Sequence, residues 1–384
     1  MISSHGRDDR IFQAMHETML AVVKARPERG IELRQVKVPV PGPREVLVKV
    51  EAASICGTDL HIYNWDDWAQ RRLRPPLIPG HEFCGHVVAF GREVEGLAEG
   101  DFVSAEMHVA CGRCYQCRTG AAHICRNVRI IGVDDDGCFA EYVKIPETNI
   151  WKVDLRIPVE WAAVFDPLGN AVHTVLAGEV AARTVLVTGC GPIGLFAIGI
   201  ARACGAARLF ALEVNEHRLT LAGRMGAELL LNPAECDPVA RVLEETAGAG
   251  VDVVLEMSGH PEAIRQGLAM LRHGGRVALL GIPSRPVELD LSSQIILKGV
   301  TVQGIHGRRM YETWYQMQAL LAGGRLDIGP VISDRLALEG FEKGMELLLS
   351  GRASKILLYP EGVPGEEKTP HLWSPHRSAT FPRS

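Results

Sequence analysis

From residue 184 onward, short apolar runs alternate with longer stretches of helical periodicity. The apolar runs have the length of strands and occupy residues 184–187, 208–212, 251–255 and 276–280. The helical stretches between them occupy residues 193–203, 216–225, 238–245 and 262–271. Strands that alternate with helices in this way pair in parallel, because each helix returns the chain to the same end of the sheet. The pattern predicts an α/β fold with a doubly wound parallel sheet.

The first half of the chain has the periodicity of β-structure. Residues 45–51 (EVLVKVE) alternate apolar and polar side chains with period two, and Gly and Pro are dense around residues 39–43 and 75–80. A helix is predicted over 311–321, with short mixed elements from there to Tyr359. With 384 residues, the chain is long enough for two domains or for one domain interrupted by another.

Composition narrows the class of protein. The chain is 47% hydrophobic and 23% charged, as expected of a soluble globular protein, and no apolar run approaches the length of a membrane span. A net charge of −5 without a basic block gives no case for nucleic-acid binding. Residues 1–17 lack the apolar core of a secretory signal, which predicts a cytoplasmic protein.

Residues 361–384 are rich in Pro, Ser and charge. We expect a mobile tail there, or a segment that binds a neighbour.

Four cysteines lie within fifteen positions. Cys111, Cys114, Cys117 and Cys125 form a C-x2-C-x2-C-x7-C run. Four thiolates at such spacing suit a closed tetrahedral Zn²⁺ site, since soft sulfur ligands favour this ion and a structural site has no open position. Disulfides and an iron–sulfur cluster are the alternatives. The run therefore predicts a structural zinc.

A G-x-G-x-x-G motif follows the first strand of the predicted parallel sheet. Gly189, Gly191 and Gly194 would allow a tight turn, a close approach of pyrophosphate to the backbone and close packing of helix against strand. Glu213 follows nineteen positions later, where a carboxylate accepts from ribose hydroxyls and repels a 2′-phosphate. Arg218 would pair with Glu213, stack on adenine or remain solvated. The motif predicts NAD rather than NADP, the alternative being a Gly-rich turn without a ligand.

Further metal-ligand residues occur in three separate segments. These hold Cys56 with His61, His81 with Glu82, and Asp166. His81 and His86 do not have the spacing of a zinc-protease helix, because H-E-x3-H replaces H-E-x2-H. Cys56 alone would be a buried apolar residue, and Asp166 a helix cap. No spacing rule joins segments this far apart, so the residues alone leave a second metal site open.

Several stretches match a known family. They are CGTDLHIYNWDDW from Cys56, GHE from Gly80, the four-cysteine run, GCFAEY from Gly137, FDPLGNAVHT from Phe165 and GIHGRRMYETWY from Gly304. On these the chain resembles the zinc-dependent medium-chain dehydrogenase/reductase superfamily over about residues 20–360. The NWDDW and ETWY stretches resemble L-threonine 3-dehydrogenases more than alcohol or polyol dehydrogenases.

The resemblance implies a GroES-like, β-rich catalytic domain interrupted by a Rossmann NAD-binding domain. The implied catalytic domain spans 19–170 and 311–360, with a structural zinc lobe at about 108–128. The implied Rossmann domain spans 171–310. Residues 1–18 would be an N-terminal extension, and residues 361–384 a C-terminal tail.

The resemblance also implies roles for individual residues. The catalytic zinc ligands would be Cys56, His81 and Asp166, with Glu82 as a fourth, exchangeable ligand. The proton relay would be Thr58 and His61, and the positions near the substrate would be Glu106 and His108. The cofactor contacts would be Gly189, Gly191, Pro192, Ile193, Gly194, Glu213, Arg218, Gly281, Ile282, Gly304 and Ile305.

The implied reaction is the zinc- and NAD-dependent oxidation of a secondary alcohol, with L-threonine giving 2-amino-3-oxobutyrate. Zinc would lower the pKa of the hydroxyl, Thr58 and His61 would carry its proton away through the cofactor ribose, and hydride would pass to NAD. The resemblance further implies two zinc ions per chain, a homotetramer and a link to a downstream 2-amino-3-oxobutyrate lyase. The alternatives are a relative acting on another amino alcohol, diol or polyol, and a non-catalytic zinc- and NAD-binding sensor.

Overall fold

The computed structural model describes residues 17–366, and its first half is built on a mostly antiparallel sheet. The strands of this half are β1 (Thr18–Val23), β2 (Glu32–Lys37), β3 (Glu45–Ser54), β4 (Phe83–Phe90), β5 (Phe102–Ala105), β6 (His108–Val109), β7 (Arg129–Ile130), β8 (Tyr142–Pro146) and β9 (Ile150–Lys152). Its helices are α1 (Gly57–Asn64), α2 (Asp67–Arg72), α3 (Tyr115–Arg118), α4 (Val159–Ala162) and α5 (Phe165–Leu176).

The second half carries the predicted parallel sheet and then returns to the first. Its strands are β10 (Thr184–Thr188), β11 (Arg208–Leu212), β12 (Leu229–Leu231), β13 (Val251–Glu256), β14 (Leu271–Leu279), β15 (Thr301–Gly304), β16 (Ile332–Ala337) and β17 (Lys355–Tyr359). Its helices are α6 (Pro192–Ala203), α7 (Glu216–Met225), α8 (Pro238–Glu245), α9 (Pro261–Met270), α10 (Glu312–Ala322) and α11 (Phe341–Leu349).

The parallel sheet has the strand order β12-β11-β10-β13-β14-β15. Every adjacent pair in it is parallel, which confirms the doubly wound prediction. Strands β12 and β15 extend the sheet beyond the four predicted strands; they are only three and four residues long and carry little pattern. Helix α7 shows why the predicted helix bounds agree: the Asn215 side chain caps its first turn, and Gly226 ends it with φ 118°.

The second sheet has the order β16-β17-β3-β4-β5-β9, with β8 also paired to β3. Strand β17 reaches it from the far end of the sequence and pairs with β3 through Leu357↔Ser54. The C-terminal part of the chain therefore completes the β-rich domain, as a chain with an inserted α/β domain requires. The largest core cluster joins the two sheets through α5, α6 and α10.

Two predicted boundaries stand differently in the structure. The predicted domain boundary between residues 170 and 171 falls inside α5, so one helix belongs to both sides. The predicted tail begins with residues that contact the body, since Glu361 pairs with Lys49 at 2.7 Å and Val363 packs on the core. Residues 1–16 and 367–384, which hold most of the predicted extension and tail, lie outside the described residues. Within residues 17–366, none of the helices is long and apolar enough to cross a bilayer.

Candidate active site

Cys56, His81 and Glu82 lie together at one end of the antiparallel sheet. Cys56 precedes α1, which follows β3, and His81 and Glu82 precede β4. Strands β3 and β4 pair with Ala53 opposite Phe83, so the three side chains meet although the sequence separates them. One ligand atom from each lies within 4.8 Å of the others. These three residues are called the metal set below.

The metal set presents buried polar atoms that lack partners. His81 Nδ1 and Glu82 Oε1 are buried and have no hydrogen-bond partner among the described residues. Burial opposes a charge on His81, but Cys56, Asp59 and Asp166 outweigh it and raise the pKa of His81 to about 10. A positive charge is therefore favoured where these ligands converge. One sulfur, one imidazole nitrogen and one carboxylate are donors that Zn²⁺ accepts, so the residues fit a catalytic zinc with an open position.

The Asp166 carboxylate is not part of the metal set. It lies in the first turn of α5, where Arg308 Nη2 is 2.5 Å from its Oδ2 atom. Burial raises the pKa of Asp166, while Arg308 and His81 oppose that shift. The implied ligand role of Asp166 therefore stays a prediction, and it needs a shift of the carboxylate toward Cys56 and His81.

Glu82 is held by residues from two other segments. Lys355 of β17 forms an ion pair with Glu82 Oε2, and Ser54 Oγ donates a hydrogen bond to the same oxygen. The Lys355 ammonium also donates to the Ile55 carbonyl at 3.0 Å. Because Oε2 is occupied and Oε1 is not, Glu82 has one oxygen available for a metal.

A second buried cluster surrounds Glu106. Its Oε1 accepts hydrogen bonds from Arg308 and from the His108 backbone N–H (3.0 Å), and its Oε2 accepts from the Trp314 indole at 3.1 Å. His108 Nδ1 lies 2.8 Å from Arg308 Nη2. Burial opposes ionisation of Glu106, but Arg308 and His108 lower its pKa to about 2. The structure thus brings together Glu106 and His108, the two positions that the resemblance places near the substrate.

The two predicted relay residues both lie on α1. Thr58 Oγ1 is 3.9 Å from Cys56 Sγ, beside the metal set. His61 lies one turn further along, and its side chain is 56% exposed and paired with Asp66 at 2.5 Å. Thr58 therefore lies beside the metal set and His61 reaches solvent, as a proton relay requires.

The four-cysteine run forms a compact group of free thiols. The sulfurs of Cys111, Cys114, Cys117 and Cys125 lie within 4.8 Å of one another, and all four cysteines are free. The Asn127 side chain and nearby backbone N–H groups donate to Cys111 and lower the pKa of its thiol to about 5. Burial and the neighbouring sulfurs raise the pKa of the Cys117 thiol to about 12, so this thiol would release its proton on binding a metal. Four sulfurs that converge on one point suit Zn²⁺, whereas disulfides would pair them. This group is called the four-cysteine cage below.

The Gly-rich turn joins β10 to α6, as predicted. A Cβ at Gly191 would meet no atom within 4 Å, so the backbone there is open to a ligand. A Cβ at Gly194 would lie 2.0 Å from the Gly189 carbonyl, so only glycine lets the helix start this close. Pro192 and Ile193 form the first turn of α6, whose free N–H groups suit a pyrophosphate.

Glu213 lies directly after β11, at the carboxyl end of the parallel sheet. Its carboxylate accepts from the Cys190 N–H at 2.8 Å and from the N–H groups of Val214 and Asn215 at 2.9 Å. Glu213 thus fixes the Gly-rich turn as well as facing it. Arg218 is not among these partners; its Nε is buried without a hydrogen-bond partner in the described part of the chain.

The remaining predicted cofactor residues lie at the same sheet edge. Gly281 and Ile282 follow β14, Gly304 ends β15, and Ile305 follows it. Leu279 pairs with Gly304 across the two strands, and β10 ends opposite β11 and β13. Ligands of such sheets bind outside the carboxyl ends of the strands. Ile282 is 88% exposed at that edge, available to a cofactor or a partner.

Three functional residues were not predicted from sequence. They are Arg308, Lys355 and Asp59, all buried and charged. Asp59 could be predicted from sequence, because it lies three residues after Cys56, which is the spacing of a capping box. In the structure its Oδ2 accepts a hydrogen bond from the Cys56 N–H. Arg308 and Lys355 pair with residues far away in sequence, and no local spacing indicates that.

Comparisons with known proteins agree with this architecture. The family described as "Alcohol dehydrogenase GroES-like domain" matches residues 42–155, and the family described as "Zinc-binding dehydrogenase" matches residues 192–323. These matches confirm the predicted GroES-like domain and the Rossmann-type parallel-sheet domain.

Curated and solved relatives cover almost the same span. An L-threonine 3-dehydrogenase of Symbiobacterium thermophilum is 52% identical over 348 residues, covering 90% of this chain and 99% of that protein. The solved structure of a zinc-binding dehydrogenase of Sinorhizobium meliloti 1021, bound to NADP, has a TM-score of 0.83 at 32% identity. An alcohol dehydrogenase of Thermus sp. ATN1 has a TM-score of 0.82 at 33% identity; both structures cover 89% of this chain and 99% of their own. The chain belongs to the zinc-binding dehydrogenases, in the group that contains the L-threonine 3-dehydrogenases.

Proposed function

We propose that this enzyme oxidises the 3-hydroxyl of L-threonine to give 2-amino-3-oxobutyrate, with transfer of hydride to NAD. The observation that carries the proposal is the metal set, two of whose three residues are buried, in the β-rich domain of a chain that also has an open dinucleotide turn. The 52% identity to an L-threonine 3-dehydrogenase supports this substrate over other alcohols.

Cys56, His81 and Glu82 would hold a catalytic zinc, with Asp166 as a further ligand. Zinc bound there would act as a Lewis acid that lowers the pKa of a substrate hydroxyl. Four buried carboxyl groups (Asp59, Glu82, Glu106 and Asp166) outnumber the buried cations beside them, which are Lys355, Arg308 and protonated His81. This excess of negative charge favours a divalent cation.

Thr58 would accept the hydroxyl proton, and His61 would pass it to solvent. An imidazole suits the last step because its ordinary pKa lies near neutral pH, and Asp66 orients the His61 ring. His108, whose side chain is 20% exposed, would contact the polar groups of the amino acid, and buried Glu106 would orient the His108 ring. Their contact with Arg308 fixes both side chains before substrate arrives, which lowers the entropic cost of orientation.

The cofactor would be NAD. Glu213 places a carboxylate at the edge where the adenine ribose lies in this fold, and a 2′-phosphate there would meet like charge. The two Glu213 oxygens accept three backbone N–H groups, so the charge is fixed in place. The Sinorhizobium relative is bound to NADP, so initial rates with NAD and with NADP decide between the two cofactors.

The four-cysteine cage would hold a second, structural zinc, giving two per chain. We further propose a homotetramer. Edge strand β15 and the segment before it carry exposed apolar side chains suited to a subunit contact, namely Val302, Ile296 and Leu297. The product would be a β-keto acid, which loses CO₂ readily, and a lyase that consumes 2-amino-3-oxobutyrate would be the matching downstream enzyme.

A substrate panel tests the proposed reaction. NADH formation at 340 nm is measured with L-threonine, L-serine, 2,3-butanediol and sorbitol at equal concentrations. We expect the highest kcat/KM with L-threonine. If L-threonine is not oxidised and a diol or polyol is, the alternative substrate class is correct.

Metal analysis separates the enzyme from a non-catalytic sensor. We expect about two zinc ions per chain, one in each kind of site. Cys56→Ser and His81→Ala should lose one zinc and nearly all NADH formation while still binding NAD. Full NAD-linked oxidation by either variant would exclude the zinc mechanism.

A further inference from the structure

Arg308 contacts three functional side chains with one nitrogen atom. It is 1% exposed, and its Nη2 lies against Glu106 Oε1, 2.5 Å from Asp166 Oδ2 and 2.8 Å from His108 Nδ1. We propose that Arg308 is a positioning residue and that the Asp166 carboxylate exchanges between Arg308 and the metal. The inference rests on the proposed function in taking zinc as that metal.

The Arg308 side chain has little freedom to follow Asp166. It crosses the first turns of α5, where a Cβ at Gly169 would come within 2.9 Å of Arg308 Cδ. The preceding residue is also fixed, since the His173 ring donates from Nδ1 to the Gly307 carbonyl at 2.9 Å. If one partner of the pair moves, it is therefore the Asp166 carboxylate.

Arg308 contacts two carboxylates, Glu106 and Asp166, and its contact with Asp166 is the easier one to break. Glu106 accepts a hydrogen bond from Arg308 and two more from His108 and Trp314. Asp166 Oδ2, by contrast, is close to Arg308 without the geometry of a hydrogen bond. Arg308 Nε and Nη1 are buried without partners in the described chain, so the arginine does not use its two-pronged geometry on Asp166. Charge alone holds this pair.

A metal bound by Cys56, His81 and Glu82 competes for the same carboxylate. Asp166 Oδ2 accepts no hydrogen bond within the described residues, so this oxygen keeps its capacity to bind a metal. Arg308 therefore weakens the binding of the metal by Asp166, because its positive charge competes with the metal for the same carboxylate. Removing the Arg308 charge should leave Asp166 on the metal and slow the loss of zinc.

The test measures zinc release and needs no turnover. Zinc-loaded protein is mixed with a chromogenic chelator, and the phase that belongs to the metal set is identified by its absence in Cys56→Ser. Arg308→Met, which keeps the length and removes the charge, should slow this phase about tenfold, within the range of coupled buried pairs. Arg308→Lys, which keeps the charge, should remain within about twofold of wild type by the same criterion.

A double-mutant cycle decides whether Arg308 acts through Asp166. In an Asp166→Asn background, Arg308→Met should no longer slow release. Arg309→Met is the matched control, because Arg309 is exposed and, within residues 17–366, its ion-pair partner is Glu312 on the surface; its release rate should equal that of wild type. Unchanged or faster release in Arg308→Met, or an equal slowing in the Asp166→Asn background, would overturn the proposal. A wild type that binds zinc but does not oxidise L-threonine would refute the proposed function instead.

Discussion

The Lys355 ammonium forms an ion pair with Glu82 where neither side chain reaches solvent, at 2% and 0% exposure. The two residues come from β17 and from the segment before β4, so the last strand of the chain completes the surroundings of the metal set. The pair leaves Glu82 Oε1 open, which lets one carboxylate serve both the protein and the metal.

Replacing Lys355 by Met should destabilise the metal-free enzyme by about 3–5 kcal/mol, because Glu82 would keep a buried charge without its partner. Added zinc should restore part of this loss, since a cation returns beside Glu82. Urea unfolding with and without zinc measures both effects. The control is Lys49→Met, whose surface pair with Glu361 should be worth about 1 kcal/mol or less. Equal losses in the two variants would contradict the assignment.

Glu213→Gln should weaken discrimination between the two nicotinamide cofactors. The amide keeps the shape but removes the charge that repels a 2′-phosphate, so the ratio of kcat/KM for NAD to that for NADP should fall by about tenfold or more. Initial rates with each cofactor give the ratio. Glu216→Gln, an exposed residue on the next helix, should leave it unchanged. A ratio that stays at the wild-type value in Glu213→Gln would mean that this carboxylate does not read the ribose.

Cys114→Ser should remove one zinc and lower the thermal stability without removing the metal of the active site. A closed four-sulfur site contributes to folding and has no position for substrate. Metal content and the melting temperature check the first two effects, and kcat on intact protein checks the third. Cys236→Ser, outside both metal groups, should keep both zinc ions. Loss of both ions from Cys114→Ser would contradict two independent sites.

Glu106 should make stability depend on acid pH. Its pKa falls from an ordinary 4.5 to about 2 in the folded enzyme, because Arg308 and His108 outweigh the effect of burial. A lowered pKa stabilises the fold above pH 4.5, and that stabilisation is lost as pH falls from about 4.5 toward 2, on the order of 3 kcal/mol. Glu106→Gln should lose less stability than wild type between pH 5 and pH 3 in urea unfolding. Parallel curves for the two proteins would show that Glu106 is not the group responsible.

The parallel sheet and the Gly-rich turn could be predicted because their signals are local. Apolar periodicity predicted β11, α7 and α8 with their bounds, since Asn215 and Asp237 cap the starts of the two helices and Gly226 ends α7. The four-cysteine cage was equally readable, because its ligands lie within one lobe. Short edge strands such as β12 were not predicted, because three residues are too few to show an alternating pattern.

The metal set could not be grouped by spacing, because sheet pairing brings Cys56 to His81 only after β3 and β4 have folded. The resemblance supplied that grouping, and it also supplied Asp166, which the structure places on Arg308. Arg308 pairs with Glu106, and Lys355 pairs with Glu82. The residues of each pair lie too far apart in sequence for a periodic pattern to indicate the contact. Buried charges of this kind are found from the tertiary structure.

The most direct test of the central claim follows the hydrogen on C3 of the substrate. The enzyme is incubated with NAD and L-threonine carrying deuterium at C3, and the reduced cofactor is analysed by mass spectrometry. Hydride transfer from the carbon that bears the hydroxyl predicts reduced cofactor with one deuterium per molecule in the wild type and almost none formed by Cys56→Ser. Unlabelled reduced cofactor, or none from the zinc-loaded wild type, would contradict the account.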